Sequence, residues 1–307
     1  MKPEDFDLFS VLVKQRSGLV LTKDKAYLLE SRLVPVARKW NLKTLEELAQ
    51  SVRTKRDEQM LRDITEAMTT NESFFFRDQK PFDQFRKILL PELLRTRAAK
   101  KQIRIWSSAA SSGQEAYSLA MIFSEEMAKV QGWKIDIFGT DLSSEMVERA
   151  RSGIYSQFEV QRGLPITMLM KYFSQIGSDK WQVKDDIRQM VQFKEGNLLT
   201  DFGPIGTFDI IYCRNVLIYF DQPTKSRVLD AMSHVLAPDG VLFLGGAETV
   251  LGISDKYKPL ENERGMYVLT NRPTTGMLGK PGASGSSTPL PGVTTASSFS
   301  TTSSIRV

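Results

Sequence analysis

The segment Thr70-Asn71-Glu72-Ser73-Phe74-Phe75-Phe76-Arg77-Asp78 sets amide, carboxylate, hydroxyl and guanidinium groups around three consecutive phenylalanines. Amphipathic helices and half-buried strands both need regular polar interruption, and this run has none. It must be buried on several sides while Asn71, Ser73 and Arg77 face something polar. Such groups can line a ligand and orient an anion, with the phenylalanines keeping water away. A hydrophobic connector between two domains fits the segment alone equally well.

A second group follows an apolar strand pattern. Ser107-Ser108-Ala109-Ala110-Ser111-Ser112-Gly113-Gln114-Glu115-Ala116-Tyr117-Ser118 joins a strand to a helix through small residues, which let a ligand approach the backbone closely. The loop lacks the Gly-x-Gly-x-x-Gly fingerprint and a Walker lysine, so it suits a nucleoside without a phosphate chain. Asp141 ends the next strand, where a carboxylate can accept hydrogen bonds from ribose hydroxyls, or can cap the following helix. Asn197 follows a third strand, either beside an adenine edge or as an ordinary turn residue. Arg214 and Asn215 follow a fourth, and the apolar run Val216 to Phe220, with Tyr219, is either site or core.

These residues need a parallel sheet to position them. Ile103–Trp106, Ile135–Asp141, Phe208–Cys213 and Val241–Gly245 read as strands alternating with helices over 114–130, 143–151 and 224–236. A helix spanning Phe82 to Leu94 is expected to bend near Pro91. Residues 154–195 exceed a normal connection; Trp181-Gln182-Val183 and Val191-Gln192-Phe193 predict a small antiparallel β insertion there. Residues 1–70 read as all-helical, with Thr44 and Glu47 forming a capping-box pattern. The Ser/Thr/Gly/Pro-rich stretch 273–307 predicts a disordered tail. The expected fold is α/β: a Rossmann-like, mostly parallel sheet over 71–272, preceded by a small helical domain.

Bulk properties exclude several classes. The 307-residue chain has no apolar run near the ~20 residues a bilayer span needs, and its start lacks a signal-peptide core. A single cysteine, Cys213, and a single histidine, His234, argue against a zinc site and exclude an internal disulfide. The formal net charge of +5 is too mild for a nucleic-acid footprint and suits an acidic protein partner. A cytoplasmic protein without metal, nucleic acid or membrane insertion is expected.

Taken together, Thr70–Arg77, Ser112-Gly113-Gln114-Glu115-Ala116-Tyr117-Ser118 and Cys213-Arg214-Asn215-Val216-Leu217-Ile218-Tyr219-Phe220-Asp221 resemble the chemotaxis receptor methyltransferase family, the CheR type, over about residues 5–270. The resemblance implies S-adenosylmethionine as methyl donor, S-adenosylhomocysteine as product, and glutamate side chains on the cytoplasmic domains of chemoreceptors as acceptors, methylated by a monomer. It implies that Asn71, Ser73 and Arg77 line the donor and reaction site, and that Glu115 meets the methionine end and Asp141 the ribose. Asn197 and Leu198 would flank adenine. Arg214 and Asn215 would complete the pocket, with Tyr219 beside the transferred methyl. The family's Gly-Glu-Glu-Pro-Tyr-Ser pattern departs here at Gln114 and Ala116. Its basic N-terminal helix is represented by Arg32, Arg38 and Lys39, with Pro35 expected to interrupt it.

An ionised glutamate is already a nucleophile, so such chemistry needs no histidine base. Opposite charges vanish on transfer, and a dry, aligned site lowers the barrier. Arg77 is expected to position the acceptor carboxylate. Two alternatives stay open: a non-catalytic S-adenosylmethionine-binding signalling protein, and a methyltransferase for a small carboxylic acid.

Overall fold

Apolar residues three and four apart build the N-terminal segment into α1 (Pro3–Ser17), α2 (Ala26–Lys39), α3 (Leu45–Lys55) and α4 (Glu58–Ala67). Phe9, Val13, Leu29, Leu33, Leu48 and Ile64 form their fully buried centre. The structure, a computed structural model, describes residues 1–273; the expected tail beyond Pro273 lies outside them. α1 ends at Gly18, whose φ of 81° turns the chain back sharply. Thr44 caps α3 by accepting the Glu47 N–H at 3.2 Å, but the Glu47 carboxylate takes the Lys43 N–H, so the box is shifted by one residue.

Pro35 does not interrupt α2; the helix runs through it to Lys39. Pro35 is exposed, so the carbonyl it leaves without a partner can be solvated, while Leu33, Val36 and Ala37 hold the helix in the core. Arg32 is not presented outward either. Its guanidinium donates to the carbonyls of Met68 and Thr69 at 2.7 and 2.8 Å and to the Thr70 hydroxyl at 3.1 Å. Lys39 pairs with Asp63 at 2.8 Å, and Arg38 is exposed.

After the connector, α5 (Lys80–Gln84) passes through a π turn (Phe85–Leu89) into α6 (Leu90–Thr96). The Leu90 N–H reaches back to the Phe85 carbonyl, the wide-turn accommodation of the Pro91 ring. The second domain then alternates β1 (Gln102–Ser107), α7 (Gln114–Glu125), α8 (Met127–Val130), β2 (Lys134–Asp141) and α9 (Ser144–Ser152). An insertion carries β3 (Ile154–Ser156), α10 (Gln157–Gln161), α11 (Ile166–Tyr172), β4 (Phe173–Ile176), β5 (Lys180–Val183) and α12 (Asp185–Arg188). The main sheet resumes with β6 (Val191–Glu195), β7 (Phe208–Cys213), α13 (Gln222–Val235), β8 (Leu236–Leu244), β9 (Tyr257–Pro259) and β10 (Met266–Leu269).

The seven-stranded sheet has the order β6-β2-β1-β7-β8-β10-β9; the first five strands are parallel and the last two antiparallel to their neighbours. The chain steps from β1 outward to β2 and β6, then returns to the other side of β1 with β7. That reversal opens a crevice above the carboxyl ends of β1 and β7. The insertion forms a separate antiparallel sheet, β3-β5-β4. Val191–Phe193, expected inside it, instead belongs to the edge strand β6 of the main sheet. The Phe193 ring fills the space that Gly139 on β2 leaves open, which fixes this strand to the large sheet.

The insertion packs on the connector. Phe75 meets Tyr155 of β3 and Phe173 of β4 edge to face, with centroids 5.0 and 5.4 Å apart. Gly163, at φ 84° between α10 and α11, lies so close to the Phe75 carbonyl that any Cβ would collide with it. Gly163→Ala is expected to destabilise the protein by about 2–3 kcal/mol, from backbone strain plus overpacking. Chemical denaturation of the variant measures it, and wild-type stability would refute the close contact.

Candidate functional site

Asn71, Ser73, Arg77, Glu115, Asp141, Asn197, Leu198, Arg214, Asn215 and Tyr219 all line one cleft at the crevice, about 910 Å³ when counted to its open mouth. Thr69, Thr70, Ser108, Ala109, Ser111, Leu142, Val216 and Phe220 also line it, and Ser17 and Leu19 border it from the helical-domain side. Sequence spacing thus brought together residues from five separate segments.

The connector is held in an unusual shape. Phe76, Asp78 and Gln79 all have positive φ, at 52°, 66° and 38°. Non-glycine residues adopt that region at a cost, and surrounding contacts must enforce it. Phe75 and Phe76 are buried and supply those contacts, together with a hydrogen bond from the Phe76 N–H to the Ser118 hydroxyl at 3.0 Å. The phenylalanines therefore anchor the segment from below and do not line the cleft, contrary to the expected water-excluding role. Apolar lining falls instead to Leu19, Leu142, Leu198, Val216 and Phe220. Phe74 lies between two guanidiniums, with the Arg162 and Arg77 carbons 4.3 and 5.6 Å from its ring centre. The Arg77 guanidinium donates through Nη1 to the Glu72 carbonyl at 2.7 Å, which holds the head group at the cleft edge with its other N–H groups left for further acceptors.

Asp141 is buried at the end of β2. Its two oxygens accept the Ser111 and Ser143 N–H groups at 2.7 and 3.0 Å. It is not the cap of α9; Ser143 fills that role by accepting from the Met146 N–H. Burial pushes the Asp141 carboxyl above the usual carboxylate range, opposed by those backbone N–H groups. Each oxygen keeps lone pairs for further donors. Asn197 shows the turn geometry that its residue type allows: its Oδ1 accepts the Leu199 N–H at 2.9 Å, and its Nδ2 donates to the Arg16 carbonyl at 2.6 Å. With both ends of the side chain engaged, Asn197 and Leu198 can meet a ligand through backbone and apolar surface.

Arg214 is buried at the end of β7, its side chain 2% exposed. It donates to Glu115 at 2.8 Å, to Asp78 at 2.6 Å and to the Arg77 carbonyl at 3.0 Å. Glu115 also accepts the Ser107 hydroxyl at 2.8 Å. Asp78 and Ser107 were not singled out by sequence reasoning; the Arg–Asp adjacency of Arg77 and Asp78 was the available signal, and it hid a partner far along the chain. Gln114 and Ala116 are buried away from the cleft lining, with the Ser112 hydroxyl donating to Gln114 Oε1 at 2.9 Å.

Tyr219 sits half-buried in a short 3-10 turn (Leu217–Tyr219) and packs against both the sheet's core and the helical domain's core. Its carbonyl accepts the Val20 N–H at 2.9 Å, and Leu19 forms a β-bridge with Phe220. Neither Leu19 nor Val20 carries a polar side chain, so this backbone link gave no sequence signal. His234 is exposed on α13 and takes no part in the cleft.

The donor set fits a phosphate-free nucleoside carrying an amino-acid arm: a buried carboxylate, a small-residue loop, apolar walls and a charged floor. The comparisons agree. Residues 4–69 match the CheR methyltransferase all-alpha domain, and residues 71–266 match the CheR methyltransferase SAM binding domain. The chemotaxis protein methyltransferase of Vibrio parahaemolyticus is 39% identical over 83% of this chain and 92% of its own length. Chemotaxis protein methyltransferase 1 of Pseudomonas aeruginosa is 40% identical over 85% of this chain and 96% of its own length. Among the described residues no helix is long and apolar enough to cross a membrane. The chain belongs to the CheR methyltransferase family, a chemotaxis methyltransferase family that takes S-adenosylmethionine as its cofactor.

Proposed function

We propose that this protein methylates glutamate side chains on the cytoplasmic domains of chemoreceptors, acting in the cytoplasm as a monomer and forming glutamyl methyl esters. The observation that carries this reading is the convergence of Arg77, Tyr219 and Asp141 on one cleft that contains no histidine or cysteine. A reaction whose nucleophile arrives ionised needs positioning and charge compensation and no proton-transfer group.

The cofactor supplies an electrophilic methyl on a cationic sulfur. Asp141 would hold the ribose hydroxyls, and Glu115, with lone pairs beyond those used by Arg214 and Ser107, would take the methionine ammonium. Leu198 and Leu142 flank the adenine. Arg77, from the connector, orients the incoming carboxylate without enclosing it, since a tight ion pair would stabilise the ground state. Transfer of that methyl to the carboxylate oxygen, with the electron pair of the carbon–sulfur bond kept by sulfur, would leave an uncharged ester and an uncharged thioether. Tyr219 closes the side of the methyl and keeps bulk water from it.

Methyl incorporation from labelled donor into receptor cytoplasmic fragments tests the reading. Label in glutamate, released by mild base, is the expected result. Donor binding without transfer to any fragment would establish the signalling alternative, and transfer to small carboxylic acids alone would establish the other. Arg77→Ala is expected to lower kcat about 10²-fold with donor affinity changed less than about threefold, because only acceptor alignment is lost; steady-state kinetics with calorimetry separates the two.

Donor affinity should also depend on pH through Asp141. The ionised form accepts from ribose hydroxyls, so affinity is full above the raised pKa and falls as pH drops through it. The fall begins at a higher pH than an ordinary aspartate would impose. In Asp141→Asn, affinity is about tenfold or more weaker and flat across that window. Calorimetric titration with S-adenosylhomocysteine over a pH series checks both; a wild-type profile as flat as the variant's would reject the assignment.

A further inference from the structure

Glu248 lies outside the cleft lining, four residues past the end of β8, yet its carboxylate organises the loop that carries Asn215 and Tyr219. One oxygen accepts the N–H groups of Asn215 and Gly245 at 2.8 and 2.6 Å. The other accepts those of Val216 and Ile218 at 2.9 and 3.3 Å. Asn215 has φ 59°, and with the 3-10 turn that follows, successive backbone N–H groups point into one concavity. Concavities of this kind bind anions. Here the protein fills the concavity with its own side chain, and Gly245 is needed because a Cβ there would stand 2.7 Å from the carboxylate and 2.9 Å from the Asn215 N–H nitrogen.

We infer that Glu248 is a positioning residue for methyl transfer: it sets the Asn215–Tyr219 loop so that Tyr219 stands beside the reacting methyl. This rests on the function proposed above. Three of its four donors belong to that loop, so the carboxylate fixes the Tyr219 approach and leaves untouched the segments after β1, β2 and β6, which carry most of the donor's contacts. A glutamine has one acceptor oxygen and one amide nitrogen, so two of the four N–H groups would face another donor. The isosteric change keeps the volume and disturbs only the clamp.

Glu248→Gln and Glu248→Asp would be compared with wild type by steady-state transfer to receptor fragments, by calorimetry with S-adenosylhomocysteine, and by amide hydrogen exchange. For Glu248→Gln, kcat should fall about 30- to 100-fold with donor Kd changed less than about threefold, and the Asn215, Val216, Ile218 and Gly245 amides should exchange faster. Glu248→Asp, which keeps both anionic oxygens on a shorter arm, should retain more turnover than Glu248→Gln. Turnover within threefold of wild type in both variants would overturn the inference. So would equal losses of turnover and donor affinity, which mark a merely structural role. If Glu248→Gln fails to fold, Glu248→Asp supplies the same split. If wild type itself transfers no methyl, the functional reading fails separately, and the amide exchange still decides whether the clamp exists.

Discussion

A buried guanidinium holds the site together. Arg214 stands at the end of a central strand with almost no solvent, bound to Glu115 from the helix after β1 and to Asp78 and the Arg77 carbonyl from the connector. A charge so placed is costly unless paired and hydrogen-bonded, and removing one partner leaves the others uncompensated. The three segments are therefore obliged to meet at one point. The strained backbone around Phe76 to Gln79 follows from it: the chain must turn sharply to bring both the Arg77 carbonyl and the Asp78 carboxylate to Arg214 while Phe75 and Phe76 stay in the core.

The helical domain completes the cleft and is built into the sheet's edge. Glu66 on α4 accepts the N–H and hydroxyl of Ser144 at 3.0 and 2.8 Å, placing a carboxylate at the start of α9, where the helix dipole favours it. Arg62 bridges Glu66 and Glu195. Lys14 pairs with Asp221 at 2.6 Å and draws its carboxyl well below the usual range, just where Asp221 caps α13. The Lys14–Asp221 pair and the Leu19–Phe220 bridge flank Tyr219, while the contacts of Arg62 and Glu66 join the helical domain to α9 and β6. A shift of α1 against the sheet would act, through Leu19 and Val20, on the loop bearing that tyrosine.

Strand and helix order was legible because parallel strands bury both faces and read as apolar runs, as Ile135–Asp141 and Phe208–Cys213 do. Asp141, Asn197, Arg214 and Asn215 were legible because they follow a strand's carboxyl end, whereas Asn71, Ser73 and Arg77 stood out as the polar groups around the phenylalanine run. What escaped was set by contacts distant in sequence. Val191–Phe193 alternates like any short strand, and only the space above Gly139 assigns it to the large sheet. Arg32 reads as a surface cation on a basic helix, yet the carbonyls of Met68 and Thr69 draw it inward. The three phenylalanines look like a wall for the site, but the burial of Phe75 and Phe76 makes those two its footing, and Phe74 packs against arginines instead. Glu248 gives no local signal, since its partners are backbone N–H groups.

Gln114 and Ala116, where this chain departs from the pattern of the family it resembles, lie off the cleft lining. Both lie in the first turn of α7, where the backbone N–H groups have no partner within the helix. A proline there forfeits nothing, and alanine in its place restores only a donor that the turn does not need. Gln114 turns to the Ser112 hydroxyl inside the loop, so its missing charge is absent from the cleft. The carboxylate that the charged floor requires is one residue on. Of the two positions only Glu115 reaches Arg214, and without it the buried guanidinium would keep the exposed Asp78 as its one carboxylate partner. The acid at 115 is thus fixed by the electrostatics of Arg214 even before a ligand enters, whereas position 114 answers only to packing and helix start.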